Sequence, residues 1–289
     1  MTLLRPLLAA ASGLVLAALV GCSRPAEKSG EPGAPDHATA APTAAATPVA
    51  APKAPDERQR LIVFAASSLT DVFNDLERGF EAKNADVDVA LSYGGSQVLK
   101  LQISEGAPSD VFASADEAHM KALVDAGLAQ PSQVFAQNEL VVVVPQDNPA
   151  KIHDLKDLKL ARRLVIGAAS VPVGAYTREL LARAGKSYGA AFEKEVLSHV
   201  VSEESNVRLV RTKVELGEAD AAVVYRTDAV SSKQVVVVPI APDLNVRASY
   251  PIALLTKAPQ PELAKRWLAF VLSTEGRAAL AAHGFLVEA

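Results

Sequence analysis

The chain has 289 residues, room for two lobes of about 100–150 residues each. Hydrophobic residues make up 49% of it and aromatics only 5%, which favours an α/β protein rich in Ala, Val and Leu. The formal charge of -4 gives no electrostatic case for binding nucleic acid.

In chain order, Arg5 supplies a positive start and residues 7–20 an apolar run too short for a comfortable membrane span. The run ends in "LVGC", and Cys22 is the sole cysteine, so no intrachain disulfide can form. "LVGC" resembles the lipobox of bacterial lipoproteins. That resemblance implies a signal peptide over 1–21, cleavage before Cys22, and a diacylglyceryl group on its thiol. Residues 23–57 follow as a linker, with Pro and Ala at 18 of 35 positions and no aromatics. Such a stretch cannot bury enough apolar area to offset its ordering entropy. With Cys22 it reads as a disordered tether over 22–57, holding a soluble domain away from a membrane.

From residue 58 onward strands and helices alternate. Strands are expected over 61–65, 86–93, 110–114, 139–145, 163–169, 219–225, 234–240 and 250–255. Helices are expected over 68–83, 96–105, 116–126, 173–184, 207–216, 261–272 and 274–283, with Gly185 and Gly217 as stops. Alternation of this kind predicts an α/β fold with a mixed, mostly parallel sheet flanked by helices. Ligands of such sheets bind beyond the strand ends, at helix N-termini.

Four strand-to-helix junctions share one chemistry. Ser68 begins a Ser-x-x-Asp pattern close to a capping box. Ser96 follows Gly94 and Gly95 and stands as an N-cap. Val173 follows Pro172, whose missing N–H is no loss at a helix entry. Val207 follows Ser205 and Asn206, either of which can cap the helix. Each junction points free backbone N–H groups along a helix axis, at the positive end of the macrodipole. Taken singly, each also reads as an ordinary capped helix start.

The stretches "VFAASSLTDVF", "EGAPSDVFASAD", "NELVVVVP", "VPVGAY", "NVR", "VVYRTDA", "YPIALL" and the final "HGF" occur in that order. Together they resemble the periplasmic molybdate-binding proteins of ABC transporters, from about residue 60 to the C-terminus. The resemblance implies a two-lobed periplasmic-binding-protein-like fold of type II, with the ligand cleft between lobes. Lobe 1 is expected over 58–140 plus 236–289 and lobe 2 over 141–235. It implies molybdate or tungstate as ligand, an ABC permease in the inner membrane as partner, no cofactor, a monomer, and no catalysis. It implies a periplasmic or cell-surface site, membrane-anchored through Cys22. Ser68 and Ser96 would each give a hydroxyl and a backbone N–H, Val173 and Val207 backbone N–H groups, and Tyr225 its phenol. All are neutral donors, suited to a dianion that offers only acceptors. Molybdenum would enter only as this bound oxyanion.

Three features depart from the family pattern. Ser67 stands where the family often has Ala. Gly94-Gly95 replaces larger small residues and is expected to loosen the turn before Ser96. Glu203 and Glu204 lie close to the Val207 junction and are expected to point outward.

Two other functions can be weighed. A receptor for another oxyanion such as sulfate differs only in pocket radius. A serine hydrolase using Ser67 or Ser68 needs a nearby base. No Gly-x-Ser-x-Gly elbow surrounds these serines, and the five His residues are scattered without metal-ligand spacing. "AGKS" at 184–187 lacks the first glycine of a P-loop, because Leu180 stands there.

Overall fold

A computed structural model describes residues 58–287. The expected signal peptide, Cys22 and the tether lie outside the described residues. Among the described residues no helix is long and apolar enough to cross a membrane.

One long strand organises the architecture. β4 (Gln133–Pro145) pairs antiparallel with β9 (Arg247–Leu254) as far as Glu139, and with β7 (Ala221–Tyr225) from Leu140 onward. Its run Val141–Val144 is buried throughout, as in sheets covered on both faces. On the β9 side follow β3 (Val111–Ala113), β1 (Gln59–Ala66) and β2 (Val87–Gly94). On the β7 side follow β5 (Leu164–Gly167) and β6 (Val200–Glu204). The sheet thus has two halves that share β4. Pairing is parallel within each half, for β1 with β2 and β3, and for β5 with β6 and β7. The antiparallel pairs all involve β4 or β9, the strands that carry the chain between halves.

β8 (Val235–Val238) pairs with Val142–Pro145 at the far end of β4. It therefore sits with the second half of the sheet. The four-valine run finds its partner on the open edge of β4, and this fixes its side.

Helices cover the sheet. α1 (Thr70–Lys83) buries Val72, Phe73, Leu76 and Phe80 at helical spacing. Trp267 of α8 (Pro261–Val271) meets Phe73 at 6.0 Å and Phe80 at 5.3 Å, both edge-on. Each such ring contributes roughly 1.5–3 kcal/mol by its burial. α9 (Thr274–Ala282) closes the first half.

Some element ends differ from expectation. The helix at "VPVG", α4 (Pro172–Tyr188), runs through Gly185 and ends at Gly189, where φ is +107°. A glycine inside a helix costs about 1 kcal/mol. Tyr188, stacked edge-on against Phe192 of α5 (Phe192–Leu197) at 5.1 Å, holds the added turn. β6 and α5 were not expected. β6 lies at the sheet edge and half of it faces solvent, so it lacks an apolar signature.

Candidate functional site

The four junctions meet. A single cavity is lined by Ser67, Ser68, Ser96, Val173, Val207 and Tyr225, together with small or apolar neighbours and Asn206. All five expected donor residues are on its wall, drawn from both halves of the sheet. The cavity is small, ≈ 10 Å³, about the room of one water molecule and far below what a sugar or peptide needs. No charged side chain lines it.

Each donor owes its place to a local rule. Ser67 and Ser68 lie in a 3-10 turn, Ser67–Leu69, between β1 and α1. The expected Ser68 capping box does not form, because no side chain caps this turn. The Ser67 carbonyl instead accepts from Thr70 Oγ1 at 2.7 Å. Ser96 is the first residue of α2 (Ser96–Ser104), and Gly95, not Ser96, is its N-cap. Val173 is the second residue of α4, behind Pro172. Val207 opens α6 (Val207–Glu215), capped by Asn206 Oδ1, which accepts from Leu209 N at 3.1 Å. Tyr225 ends β7 and is followed at once by α7 (Arg226–Val230).

The serine hydroxyls are oriented by partners that sequence reasoning did not single out. Tyr250 on β9 donates its phenol to Ser68 Oγ at 3.0 Å. The N–H of Ala115 donates to Ser96 Oγ at 3.0 Å. In both cases the protein uses the oxygen as an acceptor, which leaves the hydroxyl hydrogen to donate elsewhere. Tyr250 opens the quoted "YPIALL" stretch, which is the only trace of this role in the sequence. Among the described residues the side-chain partner of Ser68 Oγ is the Tyr250 phenol and not a histidine. Ser67 also lines the cavity and is 7% exposed.

Tyr225 is the most telling residue. Its ring is 1% exposed, and its hydroxyl has no hydrogen-bond partner among the described residues. Buried polar atoms without partners are rare and expensive. Burial first, and then the neighbouring Tyr250 and Tyr176, push its pKa far up, so the phenol stays protonated and able to donate.

The halves touch around the cavity. Gln97 Nε2 of α2 donates to the Ser205 carbonyl at 2.8 Å. His119 Nε2 on α3 (Glu117–Asp125) lies 2.9 Å from the Ser170 carbonyl. Arg208 of α6 donates to the Ser67 carbonyl at 3.2 Å and to Asp71 at 2.6 Å. Gly95 packs so tightly on Ser205 that a Cβ there would stand 2.3 Å from the Ser205 carbonyl oxygen. The glycine pair, read from sequence as a loosening of the turn, at Gly95 permits close approach. Glu203 faces solvent and pairs with Arg178, and Glu204 accepts from Ser202 Oγ; neither lines the cavity. Among the described residues no group of His, Cys, Asp or Glu is placed to hold a metal ion.

This pocket, set between two sheet halves with neutral donors at helix starts, defines a small-solute receptor. The chain belongs to the bacterial extracellular solute-binding proteins, whose pattern matches residues 61–286. Membership makes it an extracytoplasmic transport binding protein. It is 36% identical over 244 residues to the molybdate-binding protein ModA of Mycobacterium tuberculosis, covering 83% of this chain and 89% of that one. It is 31% identical over 237 residues to the putative ABC transporter substrate-binding lipoprotein YvgL of Bacillus subtilis, covering 81% and 88%. Its fold resembles that of the Azotobacter vinelandii periplasmic molybdate-binding protein, with a TM-score of 0.67 at 20% identity over 79% of this chain and all of that one.

Proposed function

We propose that this chain captures molybdate, and tungstate by the same contacts, and delivers it to an ABC permease. The observation that carries this reading is the unpartnered Tyr225 phenol, buried on the wall of a cavity that has only neutral donors. A fully deprotonated tetrahedral anion satisfies that phenol, the two serine hydroxyls and the helix-start N–H groups together. The positive helix ends supply the field that a cationic side chain would otherwise give. The ModA relative's printed ligand agrees with this chemistry. The protein acts by binding and release. Ser68 is held by a phenol rather than a base, which supports a donor role over an attacking one.

The lobe division goes with this reading. Residues 58–139 and the return after Val238 make one lobe, and 140–238 the other, with β4 as one hinge strand. Ligand contacts from both lobes favour the closed arrangement by their differential affinity.

Isothermal titration tests the ligand. One molybdate should bind tightly per chain, with sulfate and phosphate much weaker. Hydrogen phosphate carries a proton that needs an acceptor, and the cavity wall has no carboxylate. Comparable sulfate affinity would defeat the assignment.

We further propose a lipid anchor on Cys22, from the "LVGC" stretch and the lipoprotein relative. Cys22→Ala should shift the protein from the membrane to the soluble fraction on cell fractionation. Unchanged membrane retention would sink this proposal.

A further inference from the structure

Arg208 comes directly after the Val207 donor, on the first turn of α6, yet it does not line the cavity. Its guanidinium crosses to the other half of the sheet. Nε donates to the Ser67 carbonyl oxygen and Nη2 to Asp71 Oδ2. On its own side it lies 2.9 Å from Asp228 Oδ1. Asp228 belongs to α7, the short helix that starts right after Tyr225. It is fully buried, its oxygens have no hydrogen-bond partner among the described residues, and Arg208 meets its charge as an ion pair. One side chain therefore joins three segments that carry donors: the Ser67–Leu69 turn, the start of α6, and the turn after Tyr225.

We propose that Arg208 is the interlobe latch and the positioning residue of the anion site, closing on Ser67 and Asp71 when the lobes come together. This rests on the oxyanion reading above. The geometry supplies the mechanism. The Ser67–Ser68 peptide is trans, so the Ser68 N–H points opposite to the Ser67 carbonyl. A cation held on that carbonyl polarises the peptide and fixes the direction of the Ser68 N–H. The contact forms only when α6 stands against the Ser67 turn, so it links donor alignment to closure. Charge-assisted bonds of this kind are roughly twice as strong as neutral ones. A lysine cannot replace the fork, because Nε and Nη2 serve different acceptors at once.

Stopped-flow and calorimetric measurements with molybdate on the wild-type chain, R208K, R208A, D71N and R208A/D71N test this. R208A should bind about tenfold or more weakly, chiefly through faster dissociation. R208K should resemble R208A, and D71N should show a smaller loss in the same direction. The double variant should be no weaker than R208A alone, because both changes break one contact. Melting curves without ligand show which variants are folded. If R208A does not fold, D71N keeps the test, since it removes the charge that Arg208 pairs with and leaves Arg208 itself in place. Wild-type binding with unchanged dissociation in D71N and R208A would overturn the latch and leave the oxyanion site standing. Losses that simply multiply in the double variant would also overturn it. No molybdate binding by the wild-type chain would overturn both.

Discussion

Gly95→Ala should weaken molybdate binding by about ten- to 150-fold while leaving the protein folded. The backbone at Gly95 has φ -67° and ψ 138°, an extended conformation that alanine adopts without strain. No backbone penalty is therefore expected. The new Cβ would lie 2.3 Å from the Ser205 carbonyl oxygen and 2.5 Å from Gln97 Oε1. Gln97 can swing away, but Ser205 is main chain on the opposite half of the sheet. The turn that carries Asn206 and Val207 must retreat, and the Val207 N–H retreats with it. Losing one hydrogen bond to a charged ligand costs about 1.5–3 kcal/mol, or roughly ten- to 150-fold in affinity. The Gln97 bond to Ser205 would be lost as well. Titration calorimetry should show this drop, with a melting temperature close to wild type. Unchanged affinity would mean that the Gly95–Ser205 approach plays no part in binding.

Tyr225→Phe should separate binding from stability. In most proteins the loss of a buried hydroxyl destabilises, because its partner is left unpaired. Here the hydroxyl itself has no partner among the described residues. Phenylalanine keeps the ring contacts with Tyr250 at 5.8 Å and Tyr176 at 6.5 Å. It also removes a desolvated polar atom that costs about 1–3 kcal/mol. The ligand-free variant should therefore melt at or above the wild-type temperature. Its molybdate affinity should fall by about ten- to 150-fold, the loss of one donor to an anion. A residue kept at a cost to stability is one that serves binding. Destabilisation together with unchanged affinity would make Tyr225 a packing residue and remove the main support for the site.

Much of the fold was legible because it rests on local pattern. The valine run of β4, the apolar stripe of α1 and the glycine after α6 each report a single element. The strand-to-helix junctions at Ser68, Ser96, Val173 and Val207 were legible for the same reason. That they face one cavity is a tertiary fact, which the sequence carries only through its family resemblance. What stayed hidden depends on pairs far apart in the chain. Nothing in spacing links Tyr250 to Ser68, or Ala115 to Ser96, although these bonds aim the hydroxyls. The Ser-x-x-Asp spacing alone presents Ser68 as a helix cap, because Asp71 completes the local motif. Asp71 is instead bonded to Arg208. Burial would raise the Asp71 pKa, but the hydrogen bond and charge of Arg208 outweigh it and hold the carboxyl below its usual range. Asp228, close by, goes the other way: burial pushes it up to about 6 against the pull of Arg208 and Arg211. A close approach such as Gly95 on Ser205 is likewise invisible locally, since a glycine pair before a helix reads as looseness.

The central claim is that one oxyanion is held by Ser68, Ser96, Val173, Val207 and Tyr225 together. A crystal grown with molybdate, with diffraction measured at the molybdenum absorption edge, tests it most directly. One anomalous peak should appear in the cavity between the sheet halves, with the ion's oxygens within hydrogen-bond distance of all five residues. A peak elsewhere, or a cavity without molybdenum in a crystal that contains it, would contradict the account.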